Sequence, residues 1–194
     1  MARVRYHGCL RKGNSYDVDR LIAAANMFDI LPKEAVPLAS EMPAELVAAQ
    51  TECRAIFKHL RGVERDSVVM ALSKMGEPSL PKKVLHRVSM VHRALGHRFP
   101  ELALVARNAI KCRNFFVHGG SHNFNYPAFE SLTSFFTDAL EFIFAASDLI
   151  EAGWDARAWN SGGSVGGHSF SRFRDSYGMS LAELKTVLGS TEKP

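Results

Sequence analysis

Between residues 17 and 152 the apolar residues recur at helical spacing, and prolines and glycines cut that pattern into pieces. No run alternates as a strand would. Asp17 opens the first piece, with Leu21, Ile22, Ala25, Phe28 and Leu31 on one side, and Pro32 and Pro37 interrupt it. A second helix is expected from about Pro43 to Leu60, with Leu46, Ala49, Cys53, Ile56, Phe57 and Leu60 facing inward and Gly62 beyond its end. A third runs from about Glu64 to Met75. Pro81 suits the first turn of a fourth, which reaches Gly96, because its missing N–H costs nothing there. A fifth extends from Glu101 to about His118, closed by Gly119-Gly120, and a long sixth from Pro127 to Ala152. The connections are short. The pattern predicts an all-α chain folded as an antiparallel helical bundle.

The ends differ from this middle. Residues 1–16 read as a basic lead-in or linker, 17–160 as the bundle, and 161–194 as a glycine-rich loop and a partly irregular C-terminal appendage. That appendage is aromatic and basic from Phe170 to Arg174, with a short last helix near Leu181 to Leu188. The stretch from Ser131 to Ile150 carries Asp138, Glu141 and Asp148, so it is too polar to span a bilayer and no membrane partner is expected. Cys9, Cys53 and Cys112 are odd in number and far apart, which argues against a disulfide framework or a structural zinc site and places the chain in a reducing cytoplasm. The three acids have no ligand spacing; neither a metal nor another cofactor is expected. The net charge of +4 is compatible with a polyanionic partner.

The segment that carries chemistry is Lys111-Cys112-Arg113-Asn114-Phe115-Phe116-Val117-His118-Gly119. Arginine followed five positions later by histidine occurs three times, at Arg54/His59, Arg87/His92 and Arg113/His118, against roughly 0.6 expected by chance. Context separates them. Ala55 and Val88 follow the first two arginines, and both pairs lie inside a helix, where surface positions are the plain reading. Asn114 follows Arg113, and His118 stands against two glycines at a helix end. Asn114 and His118 are i,i+4 neighbours, so an asparagine oxygen can hold one imidazole nitrogen and set its tautomer. Free carbonyls at the helix C-terminus favour the imidazolium, and Arg113 offers a planar, always-charged fork for a phosphate oxygen. RNA self-cleavage needs these roles: the ribose 2′-OH attacks its own phosphodiester, and the protein moves protons and steadies charge.

Arg113-Asn114-Phe115-Phe116-Val117-His118 resembles the Arg-polar-x3-His signature of the HEPN superfamily. Residues 16–21, 26–32 and 140–150 extend the likeness to the HEPN region of ApeA-like antiphage proteins. The resemblance implies a HEPN-type bundle, a homodimer across the motif helices and metal-independent endoribonuclease activity in defence or toxin-like growth arrest. Arg113, His118 and Asn114 are then catalytic. In such proteins a larger domain precedes this region, so a missing N-terminal sensor domain or a regulatory protein is a further expected partner. Set against the nuclease are a non-catalytic RNA- or nucleotide-binding module and a dimerisation scaffold, since many HEPN proteins keep the fold without the activity.

RNA-binding candidates lie around the motif. Lys111 is adjacent, and His122 and Asn123 follow in a polar loop. Lys82, Lys83 and Arg87 open a basic helix that continues through His92, Arg93, His97 and Arg98; it reads first as a solvated face opposite Val84, Leu85, Val88, Val91 and Leu95, and the same face can serve as a track for a phosphate backbone. The phenylalanines of the fifth and sixth helices read as core or dimer packing. Cys112 reads as a small buried residue.

Overall fold

In the computed structural model, which describes residues 1–39, 41–119, 125–162 and 168–191, the helices in chain order are α1 (Ala2–Arg11), α2 (Val18–Asn26), α3 (Ala44–Lys58), α4 (Val63–Ser73), α5 (Leu80–Leu95), α6 (Leu102–His118), α7 (Tyr126–Phe129), α8 (Thr133–Glu151), α9 (Ala156–Ser161) and α10 (Ser169–Thr191). Among the described residues there is no strand, and no helix is long and apolar enough to cross a membrane. Local chemistry sets the boundaries. The Asp17 side chain accepts from Arg20 N at 2.7 Å and so caps α2. Pro81 sits in the first turn of α5, and Asp155 caps α9 by accepting from Ala158 N at 2.9 Å.

Helix α8 is the axis of the molecule. It is buried on nearly every side from Phe135 to Ser147, and α2, α5, α6 and α10 pack around it. A helix apolar all round belongs in the middle of a bundle. Phe142 anchors the centre, with ring centroids 4.7 Å from Phe99 and 4.8 Å from Phe173, and Phe99 stacks on Phe173 at 5.5 Å. Phe142 meets Phe170, Phe135 meets Tyr177, and Ser131 bonds Glu183, so α10 runs antiparallel to α8.

One charged residue of α8 is fully buried, and it is paired. Arg20 holds Glu141 through Nε at 2.8 Å and Nη2 at 2.9 Å, and its Nη1 donates to the carbonyls of Gly13 and Ser15. Burial pushes the Glu141 carboxyl up, and the Arg20 bonds pull it back. The paired geometry belongs to two ionised groups.

Three sequence expectations need correction. The basic lead-in forms α1, because Ala2, Tyr6, Cys9 and Leu10 fall on one helix face and pack against α2 and α8. The appendage is dominated by α10, whose Phe170, Phe173, Tyr177, Leu181 and Leu184 form a continuous buried stripe in the common core. The expected inward face of α3 is not buried: no residue of α3 or α4 is, and the two form a hairpin that packs mainly on itself.

Candidate functional site

Helix α6 is laid down by its own apolar spacing. Leu102, Val105, Ala106, Ala109, Ile110 and Cys112 face the core at intervals of three and four. Its start is fixed from α10: Tyr177 OH donates to Pro100 O at 2.6 Å, and Lys185 pairs with Glu101. Its end is fixed by Gly119, whose φ of 72° and ψ of 44° let its N–H reach back to Phe115 O. That left-handed turn favours glycine because a Cβ there is strained. Beyond it, the Tyr126 ring stacks on Phe115 at 5.1 Å and meets Phe116 edge-on at 4.6 Å, so α7 is clamped against the last turn of α6.

The last turns of α6 hold the motif. Arg113 is half-buried and points toward α2: Nη2 donates to Asn26 Oδ1 at 2.7 Å, and Nη1 to Asn114 Oδ1 at 3.0 Å. Its Nε is buried with no hydrogen-bond partner among the described residues. Arg20, Arg87 and Arg174 are also largely buried, and each meets a carboxylate: Glu141, Glu151 and Asp175. No carboxylate among the described residues lies within ion-pair distance of Arg113. Its positive charge is held in place by neutral oxygens and left uncompensated. His118 is the last residue of α6 and is exposed. Five helical residues put it about 140° around the axis from Arg113, so the two side chains leave α6 in different directions.

A family model for Apea-like HEPN matches residues 22–158. The chain belongs to the Apea-like HEPN family. No curated protein and no solved structure matches it. The match runs from α2 to α9, so α1 and α10 of this HEPN bundle lie outside it.

Several candidate residues take positions the sequence did not foretell. The Asn114 oxygen accepts from Arg113, where the spacing pointed to His118. Arg87, proposed for RNA, is only 1 % exposed and braces α5 against Glu151 of α8, so it is not on a surface RNA can reach. Lys83 is tied to Asp29 by its Nζ, at 3.3 Å from Oδ1. Lys82 and Lys111 are exposed; His122 and Asn123 lie outside the described residues. Asp138 accepts from Tyr16 OH at 2.7 Å and Asp148 from Arg3 Nε at 2.9 Å, which occupies the acids of α8. Sequence reasoning missed Asn26. Its signal was a polar side chain between the apolar Ala25 and Met27 at the end of α2.

Proposed function

We propose that this HEPN protein is a metal-independent endoribonuclease that works in the cytoplasm as a homodimer, in antiphage defence or toxin-like growth arrest. The observation that carries the reading is the uncompensated Arg113 guanidinium, fixed by Asn26 and Asn114 one turn before the exposed His118. An anion would complete Arg113, and a phosphodiester oxygen suits its fork. His118 moves the proton: it takes one from the attacking 2′-OH or gives one to the departing 5′-oxygen, leaving a cyclic phosphate and a 5′-OH. One histidine does one of these tasks at a time, and α6 of a single chain spreads Arg113 and His118 around its axis. A two-fold pairing of motif helices supplies the second set. Asn114 positions Arg113 in this scheme, and Lys111 and Lys82 add sequence-independent phosphate contacts.

The test uses RNA incubated in EDTA with wild-type protein and with His118→Ala. The wild type is expected to leave cyclic-phosphate ends, and His118→Ala to slow cleavage by about 10²–10⁴-fold while staying folded, since His118 is exposed. Cleavage that persists in His118→Ala overturns the assignment. Intact RNA from both, with salt-sensitive binding that needs Arg113, makes the protein a binding module instead.

A further inference from the structure

Three pairs of opposite charges around α1 and the start of α2 meet directly: Arg3 with Asp148, Lys12 with Asp17 and Arg20 with Glu141. A fourth pair nearby does not. Asp138 of α8 and Arg172 of α10 line one hollow of about 380 Å³, yet among the described residues neither has an opposite charge within ion-pair distance. The Tyr16 hydroxyl stands between them. It donates to Asp138, at 2.7 Å from Oδ1 and 2.9 Å from Oδ2, and accepts from Arg172 Nη2 at 3.3 Å. Asn14 Oδ1 accepts from Arg172 Nη1 at 2.6 Å. The guanidinium is therefore fixed by two neutral oxygens, two hydrogen bonds away from a carboxylate that has one neutral donor. Arg20, the buried cation of this region, gives its fork to Glu141. Burial pushes the Asp138 carboxyl up, and Tyr16, Arg172 and Arg20 offset that only in part. A cation brought to Asp138 and an anion brought to Arg172 would each gain a partner that is already oriented.

The hollow has a direction. Helix α10 runs antiparallel to α8, with Phe170 beside Phe142 and Tyr177 beside Phe135. Asp138 and Arg172 therefore stand at one level. Ser134 lies one turn from Asp138 on the same face of α8, and Ser176 and Ser180 lie one and two turns from Arg172 on the same face of α10. Charges occupy one end of the hollow and hydroxyls the other, and Phe135 and Phe173 line it from within the core.

We propose that this hollow is a binding site for a free α-amino acid with an uncharged polar side chain: its ammonium on Asp138, its carboxylate on Arg172 and its side chain among Ser134, Ser176 and Ser180. An α-amino acid carries both charges on one carbon, so it meets both ions of the hollow and adds no net charge. A simple anion or cation meets one ion and leaves the other alone, and a phosphate brings its charge up to Asp138. The volume is that of a small-molecule site. None of Asn26, Arg113, Asn114 and His118 lines the hollow, so the site stands apart from the RNA reading. Its walls come from the turn before α2, from α8 and from α10, and an occupant ties the three together.

The full chain is titrated with L-glutamine by isothermal calorimetry, and its unfolding temperature is followed with and without millimolar ligand. Binding and a rise in unfolding temperature are expected. N-acetyl-L-glutamine lacks the ammonium and L-glutamine amide lacks the carboxylate; each is expected to bind at least about tenfold more weakly, because a hydrogen bond between charged groups is lost. Asp138→Asn and Arg172→Gln are expected to weaken L-glutamine to the same degree. Ser134→Phe, at an exposed position that lines the hollow, is expected to block it with both ions in place. Asp138→Asn keeps an acceptor for Tyr16, and circular dichroism checks the fold of each variant. The two analogues probe the same contacts on the wild-type chain, so a variant that does not fold leaves the test intact. No binding of L-glutamine, L-asparagine or L-serine at millimolar concentration overturns the site. So does equal binding of N-acetyl-L-glutamine, or L-glutamine binding that survives all three variants. Tighter binding of a nucleoside monophosphate that needs Arg172 and not Asp138 also overturns it, and makes the hollow an anion site.

Discussion

Helix α8 and helix α3 both carry apolar residues at helical spacing, and they end in opposite environments. In α8 the buried set includes Phe135, Phe136, Ala139, Leu140, Phe142 and Ile143, and even Thr137 and Ser147 are covered. In α3 the corresponding stripe is Leu46, Ala49, Cys53, Ile56 and Phe57, and Ile56 is 58 % exposed. The difference lies in the rest of each helix. Glu45, Gln50, Thr51, Glu52, Arg54 and Lys58 surround the stripe of α3, so only one face can be buried and one neighbour, α4, lies against it. Helix α8 is apolar around most of its circumference and draws α2, α5, α6 and α10 onto it. Period makes a helix. Its burial depends on how many faces are apolar and how many neighbours are there to cover them.

The contrast breaks most sharply at Glu141. Glu141→Ala leaves Arg20 charged inside the core and is expected to cost about 3–5 kcal/mol in chemical denaturation, whereas replacing both residues by apolar ones of similar size is expected to cost far less. A loss under about 1 kcal/mol for Glu141→Ala would mean that water reaches Arg20 and that α8 is not the dry axis described above.

Thiol labelling sharpens the comparison in a second way. The two cysteines of the bundle are buried, and burial pushes their thiols up, Cys9 to about 11 and Cys112 to about 12. A thiol raised this far carries little thiolate near neutral pH, and it gains reactivity only as the pH rises toward that value or as the bundle opens. Cys53 is in the α3–α4 arm and only half-buried. With an aromatic disulfide reagent at pH 8, Cys53 is expected to react at once and Cys9 and Cys112 only after denaturant is added. Equal rates for all three would show that the bundle opens as readily as the arm.

How much of this was legible follows the same physics. The all-α class, the helix starts at Asp17 and Pro81 and the glycine stop after His118 were readable because each is a local rule of spacing or capping. Helix α1 was harder: its inward face is Ala2, Tyr6, Cys9 and Leu10, with Leu10 its one large aliphatic residue, and its arginines dominate the composition. The stripe from Phe170 to Leu184 was written at intervals of three and four, but the glycine-rich segment before it read as a boundary. In the site, Arg113 and His118 stood out by context, whereas Asn26 is 87 residues away in sequence and reaches Arg113 only through the packing of α2 on α6. The burial of Arg87 depended likewise on Glu151 arriving from α8. Contacts between distant segments have no local signature, and both surprises were of that kind.

The smallest expected effect is the most telling for the arm. Ile56→Ala removes atoms that are already mostly in water, so neither a cavity nor much lost burial follows, and the change in stability is expected to stay within about 0.5 kcal/mol. The same truncation in a packed core costs about 2–5 kcal/mol. A cost in the upper range at Ile56, measured at dilute protein concentration, would place a covering surface on α3 within the chain itself. A cost that appears only as the concentration rises would place that surface on a second copy, because only association makes stability depend on concentration. Independence of concentration together with a negligible cost leaves α3 and α4 as a free-standing hairpin, held by the Gln50 Nε2 donation to Leu72 O at 2.5 Å and by the Arg65 Nε donation to Phe57 O at 3.3 Å.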